Sequence, residues 1–259
     1  MSDRAVYRPT ERFTSKAEAY AKYRPGYPTE LLSELTARGA LEKGHVIADI
    51  GSGTGLLSEL FVRSGHIVYG IEPNPSMRGM AEKMFKGAGN FISVDGRAER
   101  TTLQSGSVDL IIVGQAFHWF EPGPTREEFE RILKKGRSAA IVWNERQKAS
   151  EGFLADYERL LDKHCERHGP MDRMNVGADS IAEFFSPGPT VKFSVPNWQD
   201  LDLEGTIGRL TSSSYAPNPG QPGYDEIAAD LTEIFDKHQN GGNVRFRYDT
   251  DVYLGRFEA

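Results

Sequence analysis

Three groups of residues have types and spacing suited to chemistry. Asp49 leads into Gly51, Ser52, Gly53 and Gly55, and Glu72 follows about twenty residues beyond the first glycine. Farther on comes Gln115-Ala116-Phe117-His118-Trp119-Phe120. The apolar run Val46–Ile50 reads as a buried strand, and Leu56, Leu57, Leu60 and Phe61 begin a helical pattern directly after the glycines. A strand, a turn without Cβ atoms and a helix N-terminus make a docking place for a polar ligand, because bare backbone permits close approach and φ > 0 is free of steric cost at glycine. In the dinucleotide fingerprint G-x-G-x-x-G the third glycine allows close helix–strand packing, and Leu56 stands in its place here. That substitution counts against NAD or FAD. No Gly-Lys-Ser/Thr follows, as a phosphate loop would require. Glu72, at the end of a second predicted strand, is placed to accept two charge-assisted hydrogen bonds from ribose hydroxyls.

These residues need a scaffold that brings them to one edge. The apolar patterning predicts strands at Val46–Ile50, Ile67–Ile71, Phe91–Val94, Val108–Val113 and Ala139–Trp143. Helices at Leu56–Ser64, Ser76–Phe85 and Arg126–Lys134 alternate with them. That order implies an α/β fold with a parallel sheet covered on both faces. Ligands on such sheets lie beyond the carboxyl ends of the strands, where the strand order reverses. Ahead of the sheet, helices are expected at Lys16–Tyr23 and Thr29–Arg38, around the turn Arg24-Pro25-Gly26-Tyr27-Pro28. After Trp143 the rhythm changes. Helices are expected at Glu151–Arg167, Leu203–Ser212 and Tyr224–Asp236, with a strand at Thr190–Val195. Val244–Tyr248 and Val252–Phe257 alternate like a hairpin about Asp249-Thr250.

The arrangement D-x-G-x-G-x-G at Asp49–Gly55 resembles the first motif of the class I S-adenosylmethionine-dependent methyltransferases. The run Gln115–Phe120 and the segment Phe13–Pro28 are similar to a small-molecule subgroup that includes relatives of trans-aconitate methyltransferase. The resemblance is continuous over residues 13–144 and looser beyond. It implies a Rossmann-like, seven-stranded, mostly parallel sheet with helices on both faces and an antiparallel C-terminal hairpin at its edge. The implied division is an N-terminal helical lid (1–40), a cofactor-binding core (41–144), a cap over the substrate side (145–242) and the hairpin (243–259). The cofactor implied is S-adenosylmethionine. Gly51, Ser52, Gly53 and Gly55 would wrap its amino-acid end, with Asp49 organising the loop or meeting the ammonium. Glu72 and Pro73 would flank the ribose, and the backbone of Arg97 and Ala98 the adenine. Arg97 stands where the family usually has an acid, and Asp95 lies two residues earlier. Gln115 ends the fourth strand in the same crevice, and Tyr20, with Tyr23, Arg24 and Tyr27, belongs to the lid.

Methyl transfer asks mainly for alignment of donor and acceptor, and positioning alone supplies on the order of 7–11 kcal/mol. A general base is required when the acceptor is a hydroxyl or thiol, but not when it is an existing carboxylate. His118, able to titrate near neutrality, is the candidate catalytic base; its aromatic neighbours equally allow it to pack as pocket wall. The expected reaction is methylation of a small organic acceptor at oxygen, a carboxylate among the candidates. The rival readings are a non-catalytic S-adenosylmethionine-binding regulator and, disfavoured by Leu56, an NAD-dependent oxidoreductase.

The 259-residue chain carries a net charge of −6, which argues against broad attraction to phosphate backbones. The basic cluster Arg126, Arg131, Lys134, Lys135 and Arg137 is interleaved with Glu127, Glu128 and Glu130 and reads as a solvated helix face. Nucleic acid and membrane are not expected partners; a small-molecule acceptor is, with the protein a monomer or homodimer. The single cysteine, Cys165, gives no disulfide framework. The N-terminal residues lack the apolar segment of a secretory signal, so a cytoplasmic location is expected. His164 and His168 share the helical spacing of zinc pairs, yet no third ligand recurs near them, and no metal is expected.

Overall fold

The computed structural model describes residues 17–165, 177–213 and 215–258. Its sheet comprises β1 (Val46–Ile50), β2 (Ile67–Ile71), β3 (Phe91–Val94), β4 (Val108–Gly114), β5 (Leu133–Arg146), β6 (Thr190–Leu201) and β7 (Val244–Gly255). The strands lie in the order β3-β2-β1-β4-β5-β7-β6. The first five are mutually parallel, and β7 runs antiparallel to both β5 and β6. Rossmann-like architecture with an antiparallel edge is thus present, and its strand order reverses at β1 and β4.

Period-two alternation divides the central strands between two apolar layers. Ala48, Ile50, Ile111, Val113 and Ile141 face one side, with Phe117, Phe129 and Phe184 packed on them. Ile47, Val68, Leu110, Ile112 and Val142 face the other, beneath Leu31, Leu35, Leu57 and Phe61. Ahead of the sheet lies α1 (Ala17–Tyr23), and the helices supplying these layers include α2 (Glu30–Ala37), α3 (Leu56–Arg63), α4 (Pro75–Met84) and α5 (Pro122–Ile132). Beyond β5 come α6 (Gly152–His164), α7 (Ala178–Phe185), α8 (Leu203–Thr211) and α9 (Tyr224–His238). A third apolar cluster joins α6, α8 and α9 to the first half of β7 through Phe153, Tyr157, Leu210, Leu231 and Phe246.

Several expectations change. The antiparallel edge is formed by β6 and β7, not by the last segment folding on itself. Val244, Phe246, Tyr248, Thr250, Val252 and Leu254 are all buried, so one uninterrupted phase runs through Asp249-Thr250. A two-residue turn would have placed Tyr248 and Val252 on opposite faces. The interval 145–242 is correspondingly not one inserted body. β6 lies within it and pairs with β7 from Thr190↔Gly255 to Leu201↔Val244. The helix α7, which the sequence pattern does not announce, sends Ile181, Phe184 and Phe185 into the core beside Phe257. Of the helices, α1 and α8 border the site through Tyr20 and Arg209, and α6 and α9 pack with α8 in the third cluster.

The helix expected to reach Lys134 ends at Ile132, where Leu133 turns extended and starts the long β5. Lys134 then reaches Asp109 on β4 at 2.8 Å. Three others of that cluster are also matched to acids, Arg126 to Glu130, Arg131 to Glu128 and Arg137 to Glu42. His164 Nε2 stands 2.6 Å from the Asp230 carboxylate, whereas His168 lies outside the described residues, as do Phe13–Lys16 at the start of the expected lid. Among the described residues, no helix is long and apolar enough to cross a membrane.

Candidate active site

The glycine turn after β1 is fastened to the end of β2. Gly51 and Ser52 both donate backbone N–H bonds to the Ile71 carbonyl, at 2.8 and 3.1 Å. Gly51 has φ +69°, and a Cβ there would stand 2.7 Å from the Ala116 Cβ. Only glycine meets both the left-handed backbone and the close approach of the segment after β4. The same tie brings Glu72, the next residue of the chain after β2, against the turn. Glu72 Oε2 accepts from the Gly53 N–H at 3.0 Å and Oε1 from the Asn74 N–H at 2.8 Å. Burial raises the Glu72 pKa, opposed by these two N–H donors and by Arg78. Asn74 in turn caps α4, accepting from Ser76 and Met77 N–H groups ahead of Pro75.

Two adjoining clefts open here, and Tyr20, Gly51, Gly53, Gly114 and Gln115 line both. The larger, about 210 Å³, also takes in Glu72, Pro73, Arg97, Ala98 and Trp119. The smaller, about 90 Å³, is lined further by Asp49, Ser52, Arg24, Tyr27, Asn144 and Arg209. Asp49 is fully buried; its Oδ2 accepts from Ser58 Oγ at 2.6 Å, while Oδ1 has no hydrogen-bond partner among the described residues. Burial lifts its pKa to about 7, against the Ser58 hydrogen bond and with help from Glu72. Gln115 holds φ +56°, and its side chain donates to the Asn144 carbonyl at 3.2 Å. A non-glycine residue in that conformation marks a backbone held by its surroundings at a ligand-facing edge.

Lid and sheet are stitched together at this edge. Asn144 Nδ2 and Asn197 Nδ2 both donate to the Gly26 carbonyl, at 3.1 and 2.9 Å, and Gln199 Nε2 donates to Tyr23 O at 3.3 Å. Tyr23 also lies across α8, where Gly208 leaves room for its ring. Its hydroxyl and Lys22 both reach Glu204.

Most of the residues singled out from sequence gather at the clefts: Tyr20, Asp49, Gly51, Ser52, Gly53, Glu72, Pro73, Arg97, Ala98 and Gln115. Gly55 does not; it opens α3 at φ +90° and packs toward Phe85. Asp95 faces Arg78 at 3.2 Å, and Glu99 lines the larger cleft instead. His118 sits in a short 3-10 turn between Trp119 and Trp143, stacked on the latter with ring centroids 5.4 Å apart. It is not among the residues lining either cleft. Burial pulls its pKa down to about 4, so the expectation that it titrates near neutrality fails for want of any acid beside it. Asn74, Met77, Glu99, Asn144 and Arg209 also line the clefts, and the sequence motifs do not single them out. Asn74-Pro75-Ser76 carries a helix-start signal that could have placed the first two. Arg209, on an amphipathic helix, carries none.

The site fits an adenosyl donor on its own geometry. The turn leaves no Cβ where a ligand would approach, Glu72 offers a buried carboxylate beside it, and the unpartnered Asp49 Oδ1 suits an ammonium.

Comparison with known proteins agrees. The family described as "Methyltransferase domain" matches residues 48–141. An uncharacterized methyltransferase of Mycobacterium tuberculosis is 33% identical over 134 residues, 52% of this chain and 52% of its own; the chain thus spans about half the length of that curated relative. An uncharacterized methyltransferase of Schizosaccharomyces pombe is 27% identical over 93% of this chain and 95% of its own. A solved chain from Anaeromyxobacter dehalogenans, provisionally named a type II methyltransferase, superposes with TM-score 0.67 at 21% identity, over 91% of this chain and 98% of that one. A phosphoethanolamine N-methyltransferase of Haemonchus contortus, solved with S-adenosylhomocysteine, gives TM-score 0.53 at 13% identity, over 100% of this chain and 61% of that one. Likeness at such identities concerns the fold, and the family match concerns the segment that holds the glycine turn. Residues 48–141 therefore match the methyltransferase-domain family, and the fold around them is shared with solved methyltransferases.

Proposed function

We propose that the whole protein transfers a methyl group from S-adenosylmethionine to a carboxylate oxygen of a small organic acid. When bound, the donor supplies an electrophilic methyl group on a sulfonium and departs as the neutral thioether. The residues that would hold it are Glu72 toward the ribose, Pro73, Arg97 and Ala98 toward the adenine, and Asp49, Gly51, Ser52, Gly53, Tyr20 and Gln115 toward the amino-acid end.

The observation that carries the choice of acceptor is the missing base. Glu72 is engaged by two backbone N–H groups, and Glu99 Oε1 accepts from the Glu121 N–H. Asp49 is taken by the donor's ammonium, and His118 is boxed between tryptophans with Nε2 closed off from solvent. A hydroxyl or thiol acceptor would need one of them to take its proton. A carboxylate arrives already ionised, so what the protein must do is orient it and exclude water. We assign His118 to the wall that holds Trp119 and Trp143 in place. The test is transfer of labelled methyl from S-adenosylmethionine to a panel of organic acids, read as base-labile methyl ester. Base-stable label on a hydroxyl, amine or thiol acceptor instead, with none on acids, would reject the carboxylate.

A further inference from the structure

The smaller cleft is lined by two guanidinium groups, Arg24 and Arg209, and by one carboxyl, Asp49. Arg24 donates Nη2 to the Ser212 carbonyl at 3.1 Å, and its Nε is buried without a hydrogen-bond partner among the described residues. Arg209, only 5% exposed, donates Nε to Tyr248 Oη and Nη1 to Ser213 Oγ, both at 3.2 Å. Among the described residues neither forms an ion pair with a carboxylate. Arg146, nearby, is matched to Glu158 at 2.8 Å. Each cation instead lies over one aromatic ring, Arg24 over Tyr20 and Arg209 over Tyr248. Their joint field is felt at Tyr215, whose pKa is lowered by Arg209, Arg146 and Arg24 although burial pushes it up. Arg24 is itself lowered, by burial first and then by Arg209. Buried charge without a counter-ion is costly to a folded chain, so an anion that completes it is bound favourably.

Counting charge decides how many ligands are needed. The donor's amino-acid end carries one carboxylate and one ammonium. Asp49 suits the ammonium, and the donor's single carboxylate, even bridging both arginines, leaves one positive charge there without a counter-ion. We propose that Arg209 receives the carboxylate of the methyl acceptor, with Arg24 left to the donor. The assignment rests on the carboxylate-methylation reading above and supplies it with a specificity residue. A guanidinium has five N–H donors, and the contacts to Tyr248 and Ser213 leave Nη2 available. Held through one oxygen, the acceptor keeps the other for reaction. That oxygen's electron pair forms the O–CH3 bond as the C–S bond breaks, the sulfonium becomes a thioether, and no proton moves. The acid loses its negative charge in the step, so the ester loses its ion pair with Arg209 and the product is released.

The test is calorimetry on protein loaded with S-adenosylhomocysteine, titrated with succinate, glutarate and phenylacetate and with their methyl esters. At least one acid binds, and its ester binds weaker by roughly 10-fold or more. Arg209→Met lowers acid affinity by roughly 10–100-fold and leaves S-adenosylhomocysteine affinity within about 2-fold; Arg209→Lys, which keeps the charge in a fold-preserving form, restores part of the acid binding. The proposal is overturned if no acid in the panel binds, if acids and esters bind alike, or if Arg209→Met weakens S-adenosylhomocysteine instead. Failure of the methyl-transfer reading looks different: acids bind through Arg209, yet no labelled methyl reaches them from S-adenosylmethionine.

Discussion

The two clefts that meet at Gly51 and Gln115 are built in opposite ways. The larger is walled mainly by residues 51–120, each placed by the end of a parallel strand or the turn after it, and its buried charge at Glu72 is acidic. The smaller depends on contacts such as Arg24 to Ser212, 188 residues apart, and its outer wall is basic through Arg24 and Arg209. Strand ends in a parallel sheet are rigid and repeatable, which suits a donor shared by many reactions. A wall made where a lid helix meets a covering helix can vary without disturbing the sheet, which suits an acceptor that differs between enzymes. Asp49 lines the smaller cleft, at the foot of the turn.

The sharpest way to break this division is Gly51→Val. A branched side chain at φ +69° against Ala116 costs about 2–4 kcal/mol of stability and closes the donor side, so donor affinity falls by roughly 100-fold or more. Urea unfolding and calorimetry with S-adenosylmethionine measure the two losses. Retained donor binding would mean the turn is not the donor's seat.

A smaller effect separates Asp49 from its neighbours by pH. Its folded pKa of about 7 lies above the ordinary 3.8, so between those values the folded chain holds a proton the unfolded chain has lost. Its contribution to stability is therefore full below about pH 4 and is lost as pH rises through 7. Asp49→Asn should melt higher than wild type at pH 8, with the gap closing toward pH 5, and should bind S-adenosylmethionine roughly 10-fold less tightly at neutral pH. A gap independent of pH would show that no buried, partly protonated carboxyl sits beneath the turn.

The smallest effect is expected at His118. With a pKa of about 4 it is neutral across the working range, and Phe preserves its stacking on Trp143. His118→Phe should leave donor affinity and transfer rate within about 3-fold, with the pH profile above 5 unchanged, where loss of a general base would cost about 10²–10⁴-fold. A fall of that size would reinstate the base and with it a hydroxyl acceptor.

Much of the donor side is legible in the sequence. The alternating strands and helices set the parallel order, and the glycine spacing with Glu72 marks the turn, because both depend on residues close together in the chain. The edge of the sheet is harder to read. Asp249-Thr250 looks like a turn between two strands, although the alternation never changes phase there. Thr250 is buried and donates to Asn144 Oδ1 at 2.6 Å. α7 is hidden because Ile181, Phe184 and Phe185 are a short apolar set among glycines and prolines. Residue type alone gives His118 a pKa near neutrality, and only the stack of Trp119 and Trp143 shows that its charge is excluded.

By itself the sequence determined the glycine turn, its carboxylates and the sheet that holds them, since strand periodicity and backbone freedom act over a few residues. The pairing of Arg24 with Arg209, the long β7 serving both sheet and cover, and the depressed His118 were decided by tertiary structure alone. Each depends on which distant groups meet in a place that water does not reach, and desolvation and unmatched charge exist only once the chain has folded around them.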